Sequence, residues 1–339
     1  MARADELARG LVAHVRRALS APGVELAEGP TPIGGGFDTE ILALRLRGVP
    51  SAWAGPLVLR VLRPHHDPVR VLREEATQNV LADLGYPAPR VLLATRDAAP
   101  LGAPFLVMTQ LPGGPLMERP LGMAGVLLDA QLRLHALDSS PLARVLGEVA
   151  TFDGYLAALA WRVDLARLTG LAPVIAWLRG RPRPDAAPVV CHGDLHPQNV
   201  LIEGRRLSGV LDWPNVLVAD PAFDVASTHL ILRFVPVELV SVPRSLRWLL
   251  RVGQRVLAHR YLAGYRRRRP IRRERLAYYE VAAAMRALVQ AGESRRRTVG
   301  EPPSALDRSP YAARLLAHVR TLTGVPADLP RRRGRSRRV

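Results

Sequence analysis

The hydrophobic pattern of this chain changes period once, near residue 112, and that change limits the fold more than any other feature. Before it, Ile41-Leu42-Ala43-Leu44-Arg45-Leu46 and Leu57-Val58-Leu59-Arg60-Val61-Leu62 read as strands, separated by turn material over 48–55. Two further strand candidates lie near 90–95 and 104–109. Two helices belong to the same part. Residues 3–20 carry Leu7, Leu11, Val12, Val15 and Leu19 at helical spacing, and 69–84 stops at Gly85 with Pro87 and Pro89 beyond. After about residue 120 the pattern is mainly helical, over 121–137, 151–179, 222–262 with breaks, 272–292 and 308–323. Strands first and helices afterwards predict an α+β fold in two lobes, an antiparallel sheet in the N-terminal one and helices in the C-terminal one. Pro112-Gly113-Gly114-Pro115 breaks the chain at the change. The expected organisation is a lobe over 1–111, a lobe over 112–324, and an Arg-rich, disordered tail over 325–339.

Charge and composition remove several functions. The net charge is +18, but residues 260–339 hold 21 of the 48 Arg and only 6 of the 30 acids, so residues 1–259 are nearly neutral. Runs of Arg are usually solvated faces. The terminal Arg run lacks the aromatic residues that would stack on bases, so no specific nucleic-acid partner is expected. The chain contains no lysine, which excludes a P-loop lysine, a Schiff base and a lysine general base. Cys191 is the single cysteine, so no disulfide forms within the chain. The N-terminus carries acids where a signal peptide needs an apolar run, and the apolar stretches around 225–250 are interrupted by Arg233, Pro236, Glu238, Pro243 and Arg244. A cytoplasmic protein without a membrane span is the expectation.

The chemistry concentrates in one exception to the helical half. Val189-Val190-Cys191 and Val200-Leu201-Ile202 flank the polar loop His192-Gly193-Asp194-Leu195-His196-Pro197-Gln198-Asn199, and a second apolar run, Gly209-Val210-Leu211, delivers Asp212-Trp213. Phosphoryl transfer from ATP needs one carboxylate to orient the attacking hydroxyl and oxygen ligands to hold Mg²⁺ against the phosphates. Asp194 suits the first task; Asn199, five residues on, and Asp212 suit the second.

These residues resemble the aminoglycoside phosphotransferase and choline kinase-like family, the small-molecule kinases of the protein-kinase-like fold, over roughly residues 24–290. The resemblance implies a nucleotide-binding N-terminal lobe, ATP and Mg²⁺ as cofactors, Asp194 as the base, and Asn199 and Asp212 as metal ligands. Protein kinases acting on serine or threonine usually carry a lysine two residues after the catalytic aspartate; His196 stands there, so a small molecule is the expected acceptor. Gly34, Gly35 and Gly36 would close over the phosphates. Arg60 would stand in for the phosphate-pairing lysine, its partner being Glu74 or, one residue out of phase, Glu75. The Thr109 and Leu111 backbones would meet adenine with Met108 behind the ring. His192, Asp220 and Asp224 would brace the catalytic loop, the last two within Ala219-Asp220-Pro221-Ala222-Phe223-Asp224.

Blander readings compete. His65-His66-Asp67 reads as a surface turn rather than a metal cluster, His196 as a loop-bracing side chain, and Cys191 as a buried apolar one. The Arg-rich helices disfavour a polycationic aminoglycoside and favour a neutral, apolar (macrolide-like) or anionic alcohol. Two other functions stay open: a kinase-shaped nucleotide-binding module without catalysis, and a surface binder driven by the basic C-terminus.

Overall fold

Strands β1 (Glu25–Pro32), β2 (Thr39–Arg47), β3 (Leu57–Leu62), β4 (Val91–Thr95) and β5 (Phe105–Thr109) form an antiparallel sheet in the order β1-β2-β3-β5-β4 in the computed structural model of this chain. Residues 2–33, 39–63, 67–119, 122–182, 186–236, 243, 245, 247–296 and 309–330 are described. Helix α1 (Ala2–Ala18) lays Leu7, Leu11 and Val15 on one face of the sheet, against Leu42, Leu57, Leu59, Phe105 and Val107. Helix α2 (Val69–Asp83) brings Val71 to a second cluster with Leu62, Val91 and Leu106. Because successive strand residues face opposite ways, β3 and β5 are buried on both sides and read as unbroken apolar runs rather than alternations. The same alternation places Arg60 in phase with Leu62, the β3 residue that packs beside α2.

By contact the chain forms two units. The first comprises Met1–Pro115, Arg144–Leu146 and Val200–Pro214. Besides the sheet it contains the small ladder of β6 (Gly114–Pro115), β8 (Val200–Glu203) and β9 (Arg206–Val210). The hairpin that follows the loop His192–Asn199 is therefore grouped with the first unit, although the sequence reading assigned residues 112–324 to one lobe.

The second unit comprises Leu116–Ala143, Gly147–Asn199 and Asn215–Val339. Its strands β7 (Val189–Cys191) and β10 (Leu217–Ala219) pair antiparallel. Its core is aromatic: Phe152 meets Tyr279 edge-on at 5.0 Å between ring centroids, and Tyr155 meets Phe223 at 4.9 Å. Around it lie α3 (Met123–Leu134), α5 (Phe152–Leu165), α6 (Ala172–Arg179), α7 (Pro221–Phe234), α8 (Arg247–Arg268), α9 (Arg273–Arg296) and α10 (Tyr311–Thr323). Helix α7 is buried on nearly every side, as a helix without a polar face must be.

Three details differ from expectation. The helix expected over 151–179 is broken, with Arg167 at φ +50° and a 3₁₀ turn at Thr169–Leu171. Pro173 can occupy only the first turn of a new helix, so α6 starts afresh there. A short helix at Ser140–Leu146, too brief to show a period, was not anticipated. Packing also continues past residue 325: Ala327 is buried and the Asp328 N–H donates to the Gly170 carbonyl at 3.0 Å. Residues 331–339 lie outside the described residues. No helix among the described residues is long and apolar enough to cross a membrane.

Candidate active site

In the first unit the site residues gather around Arg60, which is buried on β3. Its Nη1 donates to Glu74 Oε2 at 2.8 Å, its Nη2 to Asp212 Oδ1 at 3.1 Å, and its Nε to Thr39 Oγ1 at 3.3 Å. Glu74 is fully buried, and its other oxygen accepts from Arg70 Nε at 2.8 Å, one helical turn earlier on α2. Two guanidinium groups thus compensate a carboxylate that burial alone would penalise by several kcal/mol. Glu75, the alternative partner, makes no such pair; partial burial pushes its carboxyl above the usual range. Thr39 and Arg70 were not singled out in the sequence. Arg70 had a signal, its i, i+4 spacing to Glu74; Thr39 had none.

Asp212 follows β9 and sits at φ +66°, a left-handed conformation that a non-glycine residue adopts at a cost of about 1–3 kcal/mol. The next residue holds it there. Trp213 is fully buried, donates its indole N–H to the Val210 carbonyl at 2.9 Å, and meets Tyr86 edge-on at 5.7 Å. With its neighbour anchored, the Asp212 side chain stays 37% exposed even while it pairs with Arg60. Met108 lies opposite Val58 and Val91 in the sheet. The Thr109 N–H donates to the Arg90 carbonyl at 2.9 Å and its hydroxyl accepts from the Arg90 N–H at 3.0 Å, so that amide is committed to Arg90. Leu111 packs its side chain beside Gly209. Gly34, Gly35 and Gly36, like His65 and His66, lie outside the described residues.

In the second unit the loop His192–Asn199 leaves β7 through Gly193, at φ +74°, whose position only glycine fits. A Cβ there would meet the Asn215 carbonyl oxygen at 2.5 Å. The Gly193 N–H donates to Asp224 Oδ1 at 2.7 Å. The other oxygen of Asp224 bonds His135 Nε2 at 3.0 Å, and His135 Nδ1 bonds the Tyr265 hydroxyl at 2.7 Å. Burial pushes the Asp224 carboxyl up, but the bond and charge of His135 and the nearby His192 outweigh it and hold the group below its usual range. Asp220 caps α7, accepting from the Ala222 N–H at 2.7 Å, and pairs with Arg275 Nε at 2.8 Å. His192 is fully buried and accepts the Asp194 N–H on Nδ1 at 3.2 Å; His196 Nδ1 accepts the Gln198 N–H at 3.3 Å. Cys191 is fully buried, and burial, with Asp224 nearby, raises its thiol pKa. His135, Tyr265 and Arg275 escaped the sequence reading because each arrives from a helix far along the chain, with no local pattern to mark it.

Asp194 comes out of this bracing with its carboxylate 25% exposed, paired with Arg286 Nη2 of α9 at 3.1 Å. Asn199 donates its amide to the Asp194 backbone carbonyl at 3.0 Å. Because that partner is an acceptor, the amide nitrogen must be the atom facing it, and Oδ1 is left without a partner among the described residues. A carboxylate and an amide oxygen, at Asp212 and Asn199, are the hard oxygen donors that Mg²⁺ takes. By donor chemistry each of these two side chains suits that ion.

Comparison with known proteins bears on the family and the fold. The model of the phosphotransferase enzyme family matches residues 31–271. Streptomycin 6-kinase of Streptomyces griseus is 38% identical over 106 residues, which is 30% of this chain and 33% of that protein. Viomycin phosphotransferase of Streptomyces vinaceus is 33% identical over 163 residues, 43% of this chain and 56% of that protein. The matched segments thus span about a third to just over half of these relatives. An aminoglycoside phosphotransferase solved as a ternary complex with AMP-PNP and hygromycin B superposes with a TM-score of 0.60 at 15% identity, over 93% of this chain and 98% of that one. The fold is therefore the kinase-like fold of such enzymes, and with more than two thirds of its length matched by the family model, this chain belongs to the phosphotransferase enzyme family.

Proposed function

We propose that this chain transfers the γ-phosphoryl group of ATP to a hydroxyl of a small molecule. The observation that carries the reading is the catalytic loop. Gly193 and Asp224 fix its start, the Asn199 amide fixes its end, and the carboxylate of Asp194 is presented between them. Asp194 orients the acceptor hydroxyl and takes its proton. Arg60, held by Glu74, pairs phosphate oxygens with its planar fork. Asp212 and Asn199 would hold Mg²⁺, which when bound neutralises phosphate charge. In this reading the part around the five-stranded sheet binds nucleotide and residues 112–324 carry the catalytic loop and the acceptor.

The acceptor we favour is a neutral or anionic alcohol, because α8 and α9 are rich in arginine and a polycation would be repelled. The relatives' names make streptomycin and viomycin the rival acceptors. ADP formation measured with Mg²⁺-ATP against neutral, anionic and cationic alcohols, with these two antibiotics included, separates the classes. Asp194→Ala is expected to lower turnover about 10²–10⁴-fold while ATP binding survives; unchanged turnover removes the base. Asp212→Ala should weaken nucleotide binding in the presence of Mg²⁺ and leave Mg²⁺-free binding alone. Binding of Mg²⁺-ATP without transfer to any acceptor would favour the nucleotide-binding module.

A further inference from the structure

Helix α9 places a second charged group against the proposed base. Arg286 donates Nη2 to Asp194 Oδ1 at 3.1 Å, and its side chain keeps 23% of its surface exposed. Its Nε and Nη1 have no partner among the described residues. The phenols of Tyr155 and Tyr311 lie nearby, each pushed up to about 12 by burial, so they remain neutral at physiological pH. Burial pulls the Arg286 pKa down, but the Asp194 carboxylate, with the two phenols, outweighs it and holds the proton more tightly than usual. Arg286 also lines a cavity of about 30 Å³, room for a water molecule, with Leu230, Ile231, Ala287, Tyr311 and Leu315. A guanidinium with two donor nitrogens to spare, walled by aliphatic and phenolic groups, matches the planar geometry of a carboxylate. It would repel an ammonium group held at the same distance.

We propose that Arg286 anchors a carboxylate of the acceptor alcohol, a few atoms from the hydroxyl that Asp194 orients, and so selects hydroxy acids over amino alcohols. This rests on the reading of Asp194 as the base. Nothing in the step changes the phosphoryl chemistry: the hydroxyl oxygen forms the new P–O bond, its proton passes to Asp194, and ADP leaves.

The test uses ω-hydroxyalkanoic acids of four to ten carbons with their amide and amine counterparts, each measured as acceptor and as inhibitor of basal ATP hydrolysis. The wild-type protein is expected to prefer the acid form at least about tenfold over the amide, in kcat/KM or in inhibition constant. Arg286→Gln should erase that preference, costing the acid form at least about tenfold more than the amide form, and Arg286→Lys should keep part of it. Should Arg286→Gln fold poorly, the wild-type preference still decides. No acid preference in the wild type overturns the proposal. An equal loss for all three forms in Arg286→Gln also overturns it, and makes Arg286 a positioning residue for Asp194 alone. Asp194→Asn separates the two readings: it should abolish transfer and leave acid binding intact. Acid binding through Arg286 in a wild-type protein that transfers nothing would refute the kinase reading and keep the anion site.

Discussion

Around Arg60, four charged side chains hold one another: Arg60 and Arg70 share Glu74, and Arg60 reaches on to Asp212. Around Gly193, one buried carboxylate, Asp224, is satisfied by a backbone N–H and an imidazole, with a tyrosine hydroxyl behind the imidazole. The first group is ionic, and Asp212 at its end keeps 37% of its side-chain surface exposed while paired with Arg60. The second has no exposed member, and it holds the Gly193 N–H in place through one carboxylate backed by two further side chains. A phosphate and metal site needs charges that can re-pair when a ligand arrives, whereas a loop that aims one carboxylate needs rigidity. The His229–Glu280–His318 cluster of α7, α9 and α10 repeats the second design: His229 Nδ1 meets Glu280 Oε1 at 2.7 Å and His318 Nε2 meets Oε2 at 2.8 Å.

The contrast breaks most sharply at Asp224. Asp224→Ala leaves the Gly193 N–H and His135 buried without their acceptor, and stability in urea should fall by about 3–5 kcal/mol. A loss no larger than that of an exposed substitution would show that the bracing is not rigid. Glu280 sharpens the same point through pH. Burial raises its pKa, but bonds from His229 and His318 win and depress it from 4.5 to about 2. A depressed carboxylate contributes stability that is present above pH 4.5 and lost as pH falls through about 2. The contribution is at most about 3 kcal/mol by linkage. Glu280→Gln should therefore be less stable at neutral pH, and its acid unfolding curve should be flatter than the wild type's between pH 4.5 and 2. Identical curves would remove the linkage. The smallest effect on stability is expected at the ionic group. Glu74→Gln keeps one carbonyl acceptor for Arg60, loses the charge, and leaves Arg70, which is 22% exposed, to turn to water, so about 1–2 kcal/mol should go. Nucleotide affinity should fall as Arg60 loses its hold. A stability loss matching that of Asp224→Ala would erase the distinction between the two regions.

Much of this was legible in the sequence. The loop from His192 to Asn199 and the Asp-Trp pair at 212 and 213 are local: their chemistry lies in residue types at short spacing, which chain connectivity alone preserves. The double-sided burial of β3 and β5 was legible as apolar runs, and the helix after β3 as a periodic segment with a glycine stop. The choice between Glu74 and Glu75 was not, because a one-residue phase error on α2 turns a side chain by 100°, and only packing on the sheet settles the phase. The commitment of the Thr109 amide to Arg90 was likewise hidden, since it depends on the register between β5 and the residue that precedes β4.

The sequence by itself determined the order of elements, the absence of lysine and the oxygen-bearing side chains offered for catalysis. Tertiary structure alone decided which distant groups support them: Thr39 and Asp212 on Arg60, His135 on Asp224, Arg275 on Asp220 and Arg286 on Asp194. The physical reason is separation along the chain. Spacing encodes contacts that a turn or a helix closes within a few residues. A guanidinium ninety-two residues from its carboxylate is brought there only when helices pack and burial leaves the charge no other partner.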